Sequence, residues 1–301
     1  MRDRLLKWVL RLFAALPFGM AGALGAFGGR VAYRIGGRSV HTARVNLALC
    51  FPELEDDARE RMVRQNLTET GRTLAQMVQF WTTDDFDLDA TIEGEEFVRL
   101  GRELVARGKG LIIALPHLGN WELLSNIVMR IAPTTALYRP PRLAALDPVM
   151  RAGRARSGVA PVPIDRQGLK EMHAALKRGE AIVILPDQVP KTAGASGVIA
   201  PFFGQPAMTM TLIGRLAHRH GSPVLFGYAL PEGDSGRFRA HGFEGDPEIG
   251  AASPDVAAAA LNRDVERCAR AAPLFYQWSY RRFEIPGRSA HDSPYAIPVR
   301  R

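Results

Sequence analysis

GLIIALPHLGNWELLSNIVMRIA, residues 110–132, reads as a buried strand running into a helix. Residues 111–115 are apolar without interruption, bounded by Gly110 and by Pro116-His117. A short, continuous apolar run marks a strand covered on both faces, as in a parallel sheet. Asn120 is a capping residue type, so a helix is expected to begin after it, leaving His117 in the preceding loop.

The same alternation continues along the chain. Strands are predicted at 134–140, 161–165, 181–188 and 222–230, and 237–243 is expected to pair with the last of them. Helices are predicted at 52–81, 95–107, 120–132, 143–157, 168–179, 208–220 and 254–271, with a Gly-rich loop before 208. Continuous apolar strands alternating with helices predict an α/β fold with a central, mostly parallel or mixed sheet flanked by helices. Residues 39–301 are expected to form this single domain.

Residues 12–29, LFAALPFGMAGALGAFGG, carry no charge, whereas Arg2, Arg4, Lys7 and Arg11 precede them and Arg30, Arg34 and Arg38 follow. No clear cleavage site is present. The length permits one membrane span. Five glycines and Pro17 weaken its apolar character, and basic residues on both flanks give no orientation. Residues 1–38 are therefore read as a membrane-associating segment with an apolar helix at the cytoplasmic leaflet; a single span and a buried helical hairpin remain open.

In open α/β sheets, ligands gather at the carboxyl ends of the strands. Three predicted strands end in polar residues: Pro116-His117, Tyr138-Arg139 and Pro186-Asp187-Gln188. On one continuous helix, His117 and Glu122 would differ by about 140° and not share a face. With Asn120 as cap, the loop folds His117 back over the first turn, within reach of Glu122. The expected roles follow: Glu122 fixes one imidazole nitrogen, and the other takes the proton of an attacking hydroxyl. No serine or cysteine sits in a nucleophile elbow. The histidines and the two cysteines offer no metal-ligand spacing. A histidine merely satisfied beside a helix cap is the alternative.

Read in order, PHLGNWE, Tyr138-Arg139-Pro140, GRAR (153–156), LPDQ (185–188), PFFGQPA (201–207) and YQWSYRRF (276–283) resemble the late acyltransferases of lipid A biosynthesis. Arg44, Asn46, Phe51 and Pro52 extend the match, which covers nearly the whole chain. The resemblance implies an acyl carrier protein thioester as donor and a hydroxyl of a lipid A precursor as acceptor. It also implies His117 and Glu122 as the catalytic pair. Where relatives often follow the aspartate with an acidic residue or Tyr-Gly, this chain has Val189-Pro190-Lys191, which bears on the acceptor rather than on the reaction.

Arg139, Arg154 and Arg156 are candidates for binding substrate phosphate or steadying an oxyanion; otherwise they are a strand-end ion pair and a solvated helix face. Asp187 would orient a basic residue or a substrate hydroxyl, or cap the following turn. Gly204 would lie near the acyl chain. Arg281 and Arg282 would meet headgroups or close the fold by ion pairs.

The chain has 301 residues, 47% of them apolar, and a net charge of +8. A core is therefore well supplied, and an anionic partner is expected. An acidic carrier and an anionic membrane fit; no nucleic-acid motif is present. No cofactor is implied. The expected location is the cytoplasmic face of the inner membrane. Transfer to another lipid, and a catalytically silent protein that binds membrane and carrier, are the competing readings.

Overall fold

The computed structural model describes residues 10, 12–83, 86–138, 146–156, 158–190, 196–233 and 235–296. The N-terminal region carries α1 (Phe18–Ile35), α2 (Arg38–Cys50) and α3 (Asp56–Thr82). The sheet region then follows as β1 (Ile92–Glu93), α4 (Glu95–Val105), β2 (Leu111–Ala114), α5 (Trp121–Ile127), β3 (Thr134–Tyr138), α6 (Asp147–Ala155), β4 (Ala160–Pro163), α7 (Arg166–Lys177) and β5 (Ala181–Ile184). After the hairpin β6 (Gly197–Phe202) and β7 (Gln205–Met210) come α8 (Leu212–His220), β8 (Val224–Pro231), β9 (Phe238–Glu244) and α9 (Pro254–Ala271).

Seven strands form one sheet in the order β1-β9-β8-β2-β5-β3-β4. Strands β8, β2, β5, β3 and β4 run parallel, and β9 turns back antiparallel on β8 with β1 beside it. The mixed α/β sheet agrees with the sequence-based expectation. The period of two divides each central strand between two cores. Ile112, Ala114, Ile182 and Ile184 join the core that includes α2, α8 and α9, whereas Leu111, Ile113, Ala181 and Val183 join the core that includes α4 and α5.

The hairpin is the main departure in the sheet region. Phe203 (φ 50°) and Gly204 (φ 73°) form a two-residue turn of left-handed backbone, the geometry that lets two strands close directly on each other. The predicted helix at 208–220 therefore begins only at Leu212, and Gly204 sits at the tip of a turn. Helix α2, which had no prediction, supplies Asn46. Its side-chain amide donates to the carbonyls of Trp278 (2.6 Å) and Tyr280 (2.7 Å). Asn66 of α3 does the same for Leu274 and Tyr276. Two buried amides thus hold the irregular segment 274–280 against the domain.

The glycines of the N-terminal segment have a packing role. A Cβ on Gly25 would stand 2.3 Å from the carbonyl oxygen of Gly71, and one on Gly29 would stand 2.1 Å from that of Leu67. Helix α1 thus packs backbone to backbone along α3. Its other face leaves Met20, Leu24, Phe27 and Ile35 exposed. Among the described residues, no helix is long and apolar enough to cross a membrane.

Gly29→Ala should force α1 away from α3. Overpacking of this kind costs about 1–3 kcal/mol. The variant should melt several degrees below the wild type and become sensitive to proteolysis near residue 36, whereas Gly28→Ala, with open space around the added methyl, should melt like the wild type.

Candidate active site

Strands β2 and β5 are parallel neighbours, with Ala114 opposite Ile184. His117 and Asp187 each lie three residues beyond that pair, so the two strand ends deliver them to the same place. The Asp187 carboxylate accepts twice from His117: from its backbone N–H at 2.8 Å, and at the ring Nδ1 at 2.7 Å. Both residues are buried, His117 at 9% exposure and Asp187 at 3%. Because an ionised carboxylate only accepts, Nδ1 carries a proton, which leaves Nε2 as the nitrogen available for proton transfer. Nε2 faces the Gln188 amide nitrogen at 3.0 Å.

The loop carrying His117 is stitched on two sides. The His117 carbonyl accepts from Gln277 N–H, Gly119 N–H donates to Phe275, and Asn120 N–H donates to Ala229 on β8. Gly119 has φ of 60°, and a Cβ there would stand 1.9 Å from the Ala229 oxygen, so this position requires glycine. Asn120 caps α5 by accepting from Leu123 N–H at 3.2 Å. Trp121 sets its ring edge to face against the imidazole, with centroids 4.9 Å apart.

Burial works to raise the Asp187 pKa, but the His117 ring, the His117 backbone N–H and the Arg282 guanidinium outweigh it and hold the group below the ordinary aspartate range. Buried Arg282 is fixed from behind: it donates to the carbonyl of Met208 (2.7 Å), the hydroxyl of Thr209 (3.0 Å) and the amide oxygen of Asn262 (2.9 Å). Arg282 is thus interior and does not reach headgroups. Burial, then the Asp187 charge, pushes the Tyr276 hydroxyl far above its usual pKa.

Glu122 lies apart from this pair. At the start of α5 its side chain turns toward α3 and α6. Its carboxylate accepts from Trp81 Nε1 at 3.0 Å and Arg154 Nε at 3.0 Å, and it also pairs with Arg154 Nη2. The expected His117–Glu122 contact is therefore replaced by two pairs, His117–Asp187 and Glu122–Arg154. The reason is geometric: the β2–β5 register fills Nδ1 with Asp187 before the helix can offer Glu122.

Arg154 lies over the Tyr138 ring at 5.4 Å, and Arg156 donates to the carbonyls of Phe80 (2.8 Å) and Trp81 (3.2 Å) in the last turn of α3. A cation there complements the carboxyl end of a helix. Gly153 lets α6 close on Trp81: a Cβ would stand 2.7 Å from the tryptophan Cα. Arg154 and Arg156 thus reach Glu122 and α3, while Ala155 and Arg156 stay exposed. Arg139 lies outside the described residues. Gly204 is placed in the hairpin turn, next to Phe203, whose ring meets Phe51 and Trp278.

Sequence reasoning missed Trp81 and the contact of Gln188 with the His117 ring. Trp81 carried no signal beyond its place at the end of a helical stripe; Gln188 was visible as the residue after a polar strand end. Cys50 and Cys268 are buried, and burial pushes both thiols well up, which makes them poor nucleophiles. Among the described residues, no three His, Cys, Asp or Glu side chains are grouped to hold a metal ion.

Comparison with known proteins adds the family. Residues 3–284 match the family described as bacterial lipid A biosynthesis acyltransferase. The chain is 30% identical over 281 residues to the lipid A biosynthesis lauroyltransferase of Escherichia coli, covering 92% of this chain and 89% of that one. It is also 30% identical over 283 residues to the palmitoleoyltransferase of the same organism and to a lipid A biosynthesis acyltransferase of Shigella flexneri, each with 92% and 89% coverage.

Glu122→Gln keeps the shape but removes the carboxylate charge that Arg154 and Trp81 Nε1 face. With Glu122 2% and Arg154 29% exposed, the loss should be about 2 kcal/mol. Denaturant titration should show it, and the double variant Glu122→Gln, Arg154→Met should recover part of it.

Proposed function

The chain belongs to the bacterial lipid A biosynthesis acyltransferase family and is an acyltransferase; on that premise we propose that it moves a fatty acyl chain from an acyl carrier protein thioester to a hydroxyl of a lipid A precursor, with His117 as general base. The observation that carries the mechanism is the buried His117–Asp187 pair, which leaves Nε2 as the nitrogen available for proton transfer.

The acceptor hydroxyl oxygen attacks the thioester carbonyl carbon while Nε2 takes its proton. The tetrahedral intermediate collapses, the carbon–sulfur bond breaks, and the imidazolium returns the proton to the departing thiolate. Asp187, ionised and buried, stabilises the imidazolium between these steps. Glu122 and Arg154 act on the same site as a unit. They lock the first turn of α5 to α3 and α6, and so fix the loop in which His117 sits. In this reading Glu122 is a positioning residue, and Arg154 reaches substrate only through charge that its pairing with Glu122 leaves over.

The acceptor is a membrane lipid, so we place the protein at the cytoplasmic face of the inner membrane. Helix α1 supports this reading. Its small-residue face is spent on α3, and it leaves Met20, Leu24, Phe27 and Ile35 exposed together with Arg30 and Arg34, with exposed Arg38 at the start of α2. Apolar side chains beside arginines suit an interfacial helix lying on an anionic leaflet. The same basic surface suits an acidic carrier protein.

The test is transfer of a labelled acyl chain from its carrier protein to an underacylated lipid A precursor, with a lysophospholipid as the competing acceptor. The lipid A precursor should be the substrate used. His117→Ala should lose about 10²–10⁴-fold in rate while the protein stays folded. Preference for the lysophospholipid would overturn the acceptor, near-normal activity of His117→Ala would overturn the mechanism, and no transfer by the wild type to either lipid would favour the silent binding protein.

A further inference from the structure

Helices α7 and α8 are joined where the His173 and His220 rings share a hydrogen bond at 2.7 Å. On α7, Arg166, Lys170, His173 and Lys177 recur at spacings of four, three and four, which sets them in one row along the helix. Arg215 and Arg219 stand one turn apart on α8. All five cations are exposed. Burial first, and then the charges of Arg219 and Lys177, hold both rings below the ordinary histidine pKa, so these cations from the two helices border the same pair. Elsewhere arginines face carboxylates, as in Arg44–Glu60, Arg107–Glu244, Arg239–Glu93 and Arg263–Asp246. Among the described residues, no carboxylate forms an ion pair with Arg166, Lys170, Lys177, Arg215 or Arg219. Glu171, the one carboxylate of α7, accepts from Gln167 off the row, and α8 has none. Like charges one turn apart, Arg166 with Lys170 and Arg215 with Arg219, weaken a helix slightly. The row therefore does not serve the stability of the fold.

Unpaired charge of one sign attracts an anionic partner. Helices α7 and α8 expose no large apolar side chain, whereas the arginines of α1 stand with exposed Met20, Leu24 and Phe27. An interfacial helix needs such an apolar face, so the α7–α8 row suits a soluble acidic protein rather than a leaflet. Its position suits the same partner. Strands β2, β5, β3 and β4 run parallel, so Arg166, three residues past β4, lies at the same edge of the sheet as His117, three residues past β2. Three strand spacings, about 14 Å, separate the two strands. We propose that the α7–α8 row is the docking surface for the acyl carrier protein, holding it beside the strand ends where His117 and Asp187 meet while α1 lies on the leaflet. The inference rests on the carrier thioester being the donor.

The experiment reads two affinities of the full chain: for fluorescently labelled acyl carrier protein, by anisotropy, and for phosphatidylglycerol vesicles, by sedimentation. It compares the wild type with a row variant, Lys170→Glu, Lys177→Glu, Arg219→Glu, and an α1 variant, Arg30→Glu, Arg34→Glu. The row variant should bind the carrier about tenfold more weakly, the combined worth of three exposed charge contacts, and keep its vesicle binding. The α1 variant should show the reverse. In acyl transfer, the row variant should raise the KM for the carrier by the same factor and keep kcat. A milder set, Lys170→Gln, Lys177→Gln, Arg219→Gln, should lose about threefold and guards against misfolding of the first. Carrier affinity equal to wild type in both row sets overturns the proposal. So does a row variant that loses vesicle binding and keeps the carrier, because the row would then be a lipid contact. The donor reading fails separately: if the wild type binds no carrier and accepts acyl groups only from coenzyme A, the donor and the surface both fall. If the wild type binds and uses the carrier and the row variants do so equally well, only the surface falls.

Discussion

The site depends on the parallel pairing of β2 with β5. Because the strands run the same way with Ala114 opposite Ile184, residues at equal distance beyond them come out side by side. His117 and Asp187 are 70 positions apart in the chain and are brought to hydrogen-bond distance by this register alone. A slip of one residue would turn every side chain of a strand to the other core. The two cores differ in their packing, one holding Ile112 and Ile182 and the other Ile113 and Val183, so the register is strongly specified. Core packing is thus also what aligns the chemistry.

The second constraint is electrostatic. Around the site, Asp187, Glu122, Arg154 and Arg282 sit wholly or mostly inside the protein. Isolated, each would be costly; each is held by a counter-charge or by several hydrogen bonds. The arrangement divides the work. Asp187 faces the imidazole and is backed by Arg282, which the hairpin and α9 hold through Met208, Thr209 and Asn262. Glu122 and Arg154 instead tie α5, α6 and α3 together. The C-terminal segment, held by Asn46 and Asn66, closes the site from the side and fixes the His117 carbonyl through Gln277.

Much of this was legible in the sequence. The continuous apolar runs ending at Pro116-His117 and Pro186-Asp187 placed two strand ends at one site, and Asn120 gave the start of α5. The partner of His117 was not legible. Proximity along the chain favoured Glu122, and only strand order, with β5 inserted between β2 and β3, shows that Asp187 arrives first. The hairpin was hidden because Phe203-Gly204 reads as part of a Gly-rich loop until its positive φ values are known. The glycines of the N-terminal segment looked like weakened membrane helix; their function appears only against the backbone of α3. Arg282 looked like half of a basic surface pair, and nothing local marks it as interior.

The central claim is that Asp187 holds His117 in a form with a proton on Nδ1, which leaves Nε2 available for proton transfer. Nitrogen NMR of the protein labelled at histidine, with the His117 signal identified by its loss in His117→Ala, reads that form directly. The account predicts a proton on Nδ1 held by Asp187, and disturbance of that signal in Asp187→Asn but not in Glu122→Gln. A ring without a proton on Nδ1, or one that responds to Glu122→Gln and ignores Asp187→Asn, would contradict it.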